Sequence, residues 1–252
     1  METPTPALAV SGLTKIYGGR AVVDRLSFSI PRGSFFGFLG PNGAGKSTTL
    51  RMLTGLIEPA SGEIQVLGLR MPEQALEIKK RIGLVPEESL LFDRLTGLEF
   101  LEFAGRMYGL ERGAAVERAR SLLDLFELSK DSGRQTGEYS KGMRKRLSMA
   151  AALIHNPELF LLDEPFEGVD AVGARLMKDI LLDRVRQGST VFLTSHVLEV
   201  VERLCDRVAI VNRGVLVAEG SPADLRRGEE TLEDLFVRLV GGERAFGKPE
   251  WL

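Results

Sequence analysis

The sequence predicts an α/β fold, with a mainly parallel sheet covered by helices. Three observations carry this expectation. Short apolar runs alternate with helical periodicity over most of the chain, and a glycine-rich loop joins one such run directly to a helix. The tract 88–138, by contrast, is helical in pattern and holds no strand-like run.

Residues 7–30 gather Leu8, Val10, Ile16, Val22, Val23, Phe28 and Ile30 around Tyr17-Gly18-Gly19. Two strands joined by a turn are expected there, the start of an N-terminal antiparallel β-subdomain. Pro31-Arg32-Gly33-Ser34 is a second turn signal, and Phe35 to Leu39 is a short apolar strand running into Gly40. A helix is predicted from Lys46 to Ile57. Ser61-Gly62-Glu63 turns it back into a strand, Ile64 to Leu67, and a further strand covers Ile82 to Val85.

Thr96 followed by Glu99 is a capping-box signature. Leu98, Leu101, Ala104 and Tyr108, then Val116, Ala119, Leu122, Leu123 and Phe126, recur at helical spacing. Residues 88–138 are therefore expected to be an inserted α-helical subdomain of a domain spanning 1–242, with 243–252 as a C-terminal tail. The alternation then resumes: strand Leu159–Leu162, helix Val172–Arg186, strand Thr190–Thr194, helix Val197–Cys205, strand Val208–Val211.

Composition narrows the function. Hydrophobic residues make up 44% and charged residues 27%, enough for a substantial core. Thirty-three basic residues against 35 acidic ones give a net charge of -2, so no nucleic-acid surface is expected. The single cysteine, Cys205, supports neither an internal disulfide nor a cysteine-rich metal cluster. Residues 1–10 hold Glu2, Pro4 and Pro6 and no basic stretch ahead of an apolar core, which is unlike a secretory signal. No apolar run approaches the roughly 18 residues that span a bilayer. Any membrane role is therefore expected to come through a partner.

Gly40-Pro41-Asn42-Gly43-Ala44-Gly45-Lys46-Ser47 matches the P-loop pattern and lies between a predicted strand and a predicted helix, as that motif requires. Glycines let backbone N–H groups converge on phosphate oxygens, and the helix N-terminus adds partial positive charge. Lys46 is expected at the β- and γ-phosphates, Ser47 on magnesium, and Thr48 near the α-phosphate. Leu159-Phe160-Leu161-Leu162-Asp163-Glu164 is an apolar strand ending in two carboxylates. The first, Asp163, is placed for the magnesium shell. The second, Glu164, is placed to act as general base on the attacking water. The fold expectation thus sharpens to a P-loop NTPase core.

The P-loop alone leaves kinases, GTPases and many ATPases open. Tyr139-Ser140-Lys141-Gly142-Met143, followed by Arg144-Lys145-Arg146-Leu147 and lying ahead of the Asp-Glu strand, narrows the choice. In physical terms Ser140 is a good N-cap, and Gly142 opens a helix running to Ile154 that makes a second anion site. The run resembles the ABC signature motif, and the chain from Leu8 to about Gly242 resembles an ABC transporter ATP-binding subunit.

That resemblance implies ATP and Mg2+ as ligands and ATP hydrolysis as the reaction. It implies an aromatic stacking role on adenine for Tyr17, a dimer-interface D-loop at Gly168-Val169-Asp170, and a γ-phosphate switch at His196. His155, before Asn156-Pro157, reads as a helix-end residue only. Two such domains pack head to tail, so the signature of one chain meets the ATP on the P-loop of the other. The implied partners are a second copy or a paralogous ATP-binding subunit, together with an integral membrane transporter subunit. The implied location is cytoplasmic, peripheral on the inner face of the cell membrane.

The sequence departs from the family pattern in two places. The signature carries Lys141 for a glycine and Met143 for a glutamine, a form resembling exporters with a separate membrane subunit. After strand 82–85 the magnesium-ligating glutamine is replaced by Glu87. Ser89-Leu90-Leu91-Phe92-Asp93 is an apolar knot in a loop, read either as packing against the helical subdomain or as a groove for a membrane-subunit helix. A soluble ABC-type ATPase for cofactor assembly, or another non-transport role, is the alternative. A regulatory module that no longer hydrolyses ATP is disfavoured by Glu164 and His196.

Overall fold

A computed structural model describes residues 5–226 and 230–241; the predicted tail 243–252 lies outside the described residues. The chain opens with β1 (Leu8–Tyr17) and β2 (Arg20–Ile30), an antiparallel pair joined at Gly18-Gly19. β3 (Phe35–Leu39) enters the glycine-rich loop, and α1 (Lys46–Leu53) leaves it. β4 (Ser61–Val66), β5 (Leu69–Met71), α2 (Ala75–Lys79) and β6 (Ile82–Val85) follow. β1, β2, β4 and β5 form one antiparallel sheet in the order β2-β1-β4-β5.

The tract 88–138 contains α3 (Gly97–Met107), α4 (Arg112–Leu125) and two short 3-10 turns. It holds no strand, only an isolated bridge between Thr96 and Gln135. The capping box forms as expected: Thr96 Oγ1 accepts from Glu99 N at 3.2 Å, and Glu99 Oε2 accepts from Thr96 N at 2.9 Å. α5 (Lys141–Leu153) and β7 (Leu159–Asp163) come next, then α6 (Ala171–Arg186), β8 (Thr190–Ser195), α7 (Leu198–Leu204) and β9 (Arg207–Asn212). β10 (Val215–Gly220), α8 (Pro222–Leu225) and α9 (Leu232–Val240) close the described chain. The second sheet has the order β10-β9-β3-β8-β7-β6, parallel throughout except for β10 against β9.

β3 is buried on both faces, which explains its continuous apolar run. Phe36 and Phe38, with Phe192 of β8 beside them, face the antiparallel sheet and meet Phe28 of β2, the ring centroids lying 5.3–6.2 Å apart. Each such aromatic pair adds about 0.5–1.5 kcal/mol beyond its area burial. Phe35 and Leu39 face the opposite core, shared with Leu101, Phe126, Leu147 and Leu181 of the helices. The parallel sheet is thus clamped between the β-subdomain and the helical layer.

Several boundaries differ from the sequence expectation, each for a local reason. The helix predicted to reach Ile57 stops at Leu53. Gly55 takes a φ of 66°, Leu56 N donates to Arg51 O at 2.9 Å and Gly55 N to Met52 O at 3.0 Å, the two bonds of a Schellman cap. The strand predicted at 64–67 begins instead at Ser61, where Ser61 pairs with Thr14, and ends at Val66 because Leu67 has a φ of 54°. The helix predicted from Val197 to Cys205 runs from Leu198 to Leu204, with those two residues as its caps. The strand predicted at 208–211 extends by one residue at each end. β5, α2, β10, α8 and α9 were not anticipated. Of the apolar knot, Leu91 packs against the core, whereas Leu90 is 77% exposed and Phe92 55%.

Candidate active site

Strand register assembles the site. β3, β8 and β7 are neighbours running the same way, with Leu39 opposite Ser195 and Thr194 opposite Asp163. β6 follows, with Val85 opposite Leu162. The residues that leave these four C-terminal ends are Gly40, His196, Glu164 and Pro86-Glu87. They collect along one edge of the sheet, where parallel α/β folds place their ligands.

The loop after β3 is held open by its neighbours. Gly45, the N-cap of α1, has a φ of 101°, and a Cβ there would lie 2.8 Å from Val22 O. A Cβ on Gly40 would lie 2.5 Å from Val211 O. Gly214 N donates to Ala44 O at 3.0 Å, and Asp24 N to Gly214 O at 2.8 Å, tying the loop to the β9–β10 turn and to β2. The result is a cavity of about 520 Å³ lined by Asn42, Gly43, Gly45, Lys46, Ser47, Thr48, Glu87, Glu164, Glu167 and His196, among others.

Charge converges within this cavity. Lys46 is buried; its Nζ donates to Gly40 O at 2.8 Å and lies 3.5 Å from Glu164 Oε1. His196 Nδ1 lies 2.9 Å from the same Glu164 oxygen. Glu164 has a φ of 44°, a costly conformation for a residue with a side chain. Its N–H donates to Thr194 Oγ1 at 3.1 Å, and that hydroxyl donates to Asp163 Oδ1 at 2.5 Å. One threonine thus fixes both carboxylates. Ser47 Oγ donates to Glu87 Oε2 at 3.4 Å, so the exposed Glu87 side chain reaches the phosphate loop.

The ABC transporter family model matches residues 23–167, more than half of the chain. The chain belongs to the ABC transporter family. It is similar to the linearmycin resistance ATP-binding protein LnrL of Bacillus subtilis, 40% identical over 91% of this chain and 75% of that protein. The Nod factor export ATP-binding protein I of Ralstonia nicotianae is 41% identical over 88% of this chain and 69% of its own. A solved structure of the ATP-binding subunit of an ABC transporter superposes with a TM-score of 0.87 at 31% identity, covering 92% of this chain and 99% of that one. The chain is accordingly an ATP-binding subunit of the ABC transporter kind, and its reaction is ATP hydrolysis.

Not every residue expected at an ABC site reaches the cavity. Gly40 and Asp163 are buried and do not line it. Tyr17 closes β1, 50% exposed, with Lys15 Nζ 5.2 Å over its ring, and is also outside the lining. Ser140 and Gly142 stand at the start of α5, away from this cavity. Ser140 Oγ accepts from Met143 N at 3.2 Å, the expected N-cap, and Gly142 abuts Gly168. Asp170 caps α6 through Gly173 N at 2.8 Å. His155 follows the end of α5, as expected, but stacks on Tyr108 with centroids 3.5 Å apart.

Glu167, Thr194 and Lys145 belong to the site without a motif to mark them. Glu167 lines the cavity and pairs with Lys141 at 2.8 Å, which holds its carboxyl below the usual carboxylate range. Nothing in a Phe-Glu-Gly run advertises that role. Lys145 did leave a signal. It falls on the helical face of Met149 and Ala152, both buried, where a lysine needs a partner.

Proposed function

We propose that this chain works in pairs with a second copy or a paralogous ATP-binding subunit, and that ATP hydrolysis at two shared sites drives export by a separate integral membrane subunit. The observation that carries the reading is the convergence of Lys46 Nζ and His196 Nδ1, 3.5 and 2.9 Å away, on one oxygen of Glu164 at the P-loop cavity. Lys46 would release Gly40 O and Glu164 to engage the β- and γ-phosphates. Glu164 would take a proton from water as that water attacks the γ-phosphorus, the bond to the β-phosphate oxygen breaking to give ADP and phosphate. His196 would orient Glu164 and contact the γ-phosphate. Asn42, Gly43, Gly45 and Thr48 would complete the phosphate cradle.

The donor set suits Mg2+. Among the described residues no cluster of three acidic, histidine or cysteine groups could hold a metal by itself. Magnesium asks less: it keeps several waters and takes one or two protein oxygens plus substrate phosphates. Ser47, Glu87 and Asp163 offer such hard oxygens. Bound there, the ion would neutralise charge developing on the β- and γ-phosphate oxygens.

Ser140 and Gly142 lie outside this chain's own cavity, which accords with service to the partner's ATP across a head-to-tail pair. Tyr17 would stack on adenine from the hairpin tip. We assign 1–242 to one ATP-binding domain with 88–138 as its helical insertion. No helix of the described residues is long and apolar enough to cross a membrane. Exposed Leu90, Phe92, Phe103 and Met107 on that insertion fit an amphipathic helix of the membrane subunit, which would hold the chain at the inner face of the membrane. The export reading draws on the signature variant and on the relative named for Nod factor export. Coexpression with the membrane subunit tests it: Phe92→Glu should abolish copurification from membranes and leave ATPase activity within twofold. Retained copurification would contradict the docking site.

A further inference from the structure

Lys145 is 2% exposed, the most deeply buried lysine of the described chain, and no carboxylate among the described residues lies within ion-pairing distance of it. Its ammonium is satisfied by main chain. Nζ donates to Pro86 O at 3.0 Å and to Glu87 O at 2.6 Å, and lies 3.5 Å from Asp163 O. Those three carbonyls belong to the loop after β6 and to the end of β7. Lys145 itself sits in α5, one turn beyond Ser140. A buried ammonium is retained only where its donors are fully used, because an unpaired charge there is strongly destabilising. Burial also lowers the Lys145 pKa, with Asp163 and Glu167 opposing that shift.

We propose that Lys145 is a positioning residue: it pins the main chain of Glu87 and Asp163 to the signature helix, so that a displacement of α5 is delivered to the Glu87 carboxylate at Ser47. A tether of this kind differs from side-chain contact with nucleotide. It acts through the Glu87 backbone, and therefore on the distance between Glu87 Oε2 and Ser47 Oγ. The signature, which serves the partner's ATP, is thereby linked to the metal side of the chain's own site. The metal part of this inference rests on the reading of Glu87 as a magnesium-shell residue; the tether to α5 does not.

Lys145→Met tests it, since methionine keeps an unbranched apolar stem of similar reach and removes every donor. Burying a thioether in place of an ammonium is readily tolerated, so thermal unfolding should show a folded protein. The expected result is a kcat reduced at least tenfold, ATP affinity without magnesium within twofold of wild type, and a half-saturating Mg2+ concentration raised severalfold. Lys145→Gln, which restores two shorter neutral donors, should recover part of the kcat; it decides the matter if Lys145→Met does not fold. Combining Lys145→Met with Glu87→Gln should be non-additive in magnesium dependence. Wild-type kcat in a folded Lys145→Met, or in Lys145→Gln where only that variant folds, would overturn the proposal. So would additive effects on magnesium dependence where Glu87→Gln alone shifts it. If Glu87→Gln alone leaves magnesium dependence untouched while Lys145→Met still loses kcat, the metal reading of Glu87 fails and the tether stands.

Discussion

His196 Nδ1 and Glu164 Oε1 lie 2.9 Å apart although 32 residues of chain, a helix and a strand separate them. The parallel pairing of β7 with β8 brings them together, and the turn out of β7 completes the approach by placing Glu164 at a φ of 44°. A carboxylate held between an imidazole and the Lys46 ammonium has little freedom to turn away. Preorganisation of this kind is what a general base needs.

Shared sites make a prediction for mixtures. Lys46→Ala removes the phosphate lysine, and Ser140→Arg blocks the signature N-cap; each variant alone should retain a few per cent of wild-type ATPase activity or less. A mixture forms heterodimers with one complete site, the intact P-loop of the second variant facing the intact signature of the first. Phosphate release above either variant alone is expected. No recovery from verified heterodimers would count against head-to-tail sharing.

Glu87 faces Ser47, and its carboxylate sits in one cavity with Glu164 and Glu167. Without a cation these carboxylates and a bound triphosphate repel one another. Glu87→Gln should therefore keep ATPase activity, weaken its magnesium dependence and raise ATP affinity by roughly threefold to tenfold at scarce magnesium, about 0.7–1.4 kcal/mol. Titrations of ATP with and without Mg2+ check this, and superimposable curves for the two proteins would exclude Glu87 from the metal shell.

The phosphate loop, the Asp163-Glu164 strand end and the Ser140 cap were legible because each is a local pattern with a local cause. Thr96-Glu99 and Gly18-Gly19 were legible for the same reason. The partners of Lys145 and Glu167 were not, since they lie 58 and 26 residues away, in the loop after β6 and at the start of α5, and follow no periodicity. β5 and α2 are too short to carry a signal against their surroundings. α9 had one, the Thr231-Asp234 capping box, which matches the Thr96-Glu99 pattern with a shorter acid.

His155 gives a pH prediction. Its Nε2 faces Ile82 O at 2.9 Å, its Nδ1 has no partner among the described residues, and its ring stacks on Tyr108. Burial, aided by the Arg118 guanidinium and opposed by the bond to Ile82, lowers its pKa from 6.5 to about 4. The unfolded chain therefore binds a proton here between pH 6.5 and 4 that the folded chain refuses, and stability falls as pH falls through that window. With partial exposure screening the effect, about 1–2 kcal/mol is at stake. Thermal unfolding from pH 7 to pH 4 should show this slope, and His155→Phe, which keeps the stack, should flatten it. An unchanged slope between pH 6.5 and 5 would reject His155 as its source; the paired carboxylates of Glu158 and Glu167 begin to give up their contribution only below their ordinary value of 4.5.

The most direct test of the whole account is Glu164→Gln, which keeps the shape of the side chain and removes the base. Steady-state phosphate release should drop at least a hundredfold while Mg-ATP affinity stays within a few-fold of wild type, and size-exclusion chromatography with Mg-ATP should show a stable dimer that wild type does not accumulate. Turnover near the wild-type rate would contradict the assignment of Glu164. Loss of turnover without ATP-dependent dimerisation would contradict the shared site.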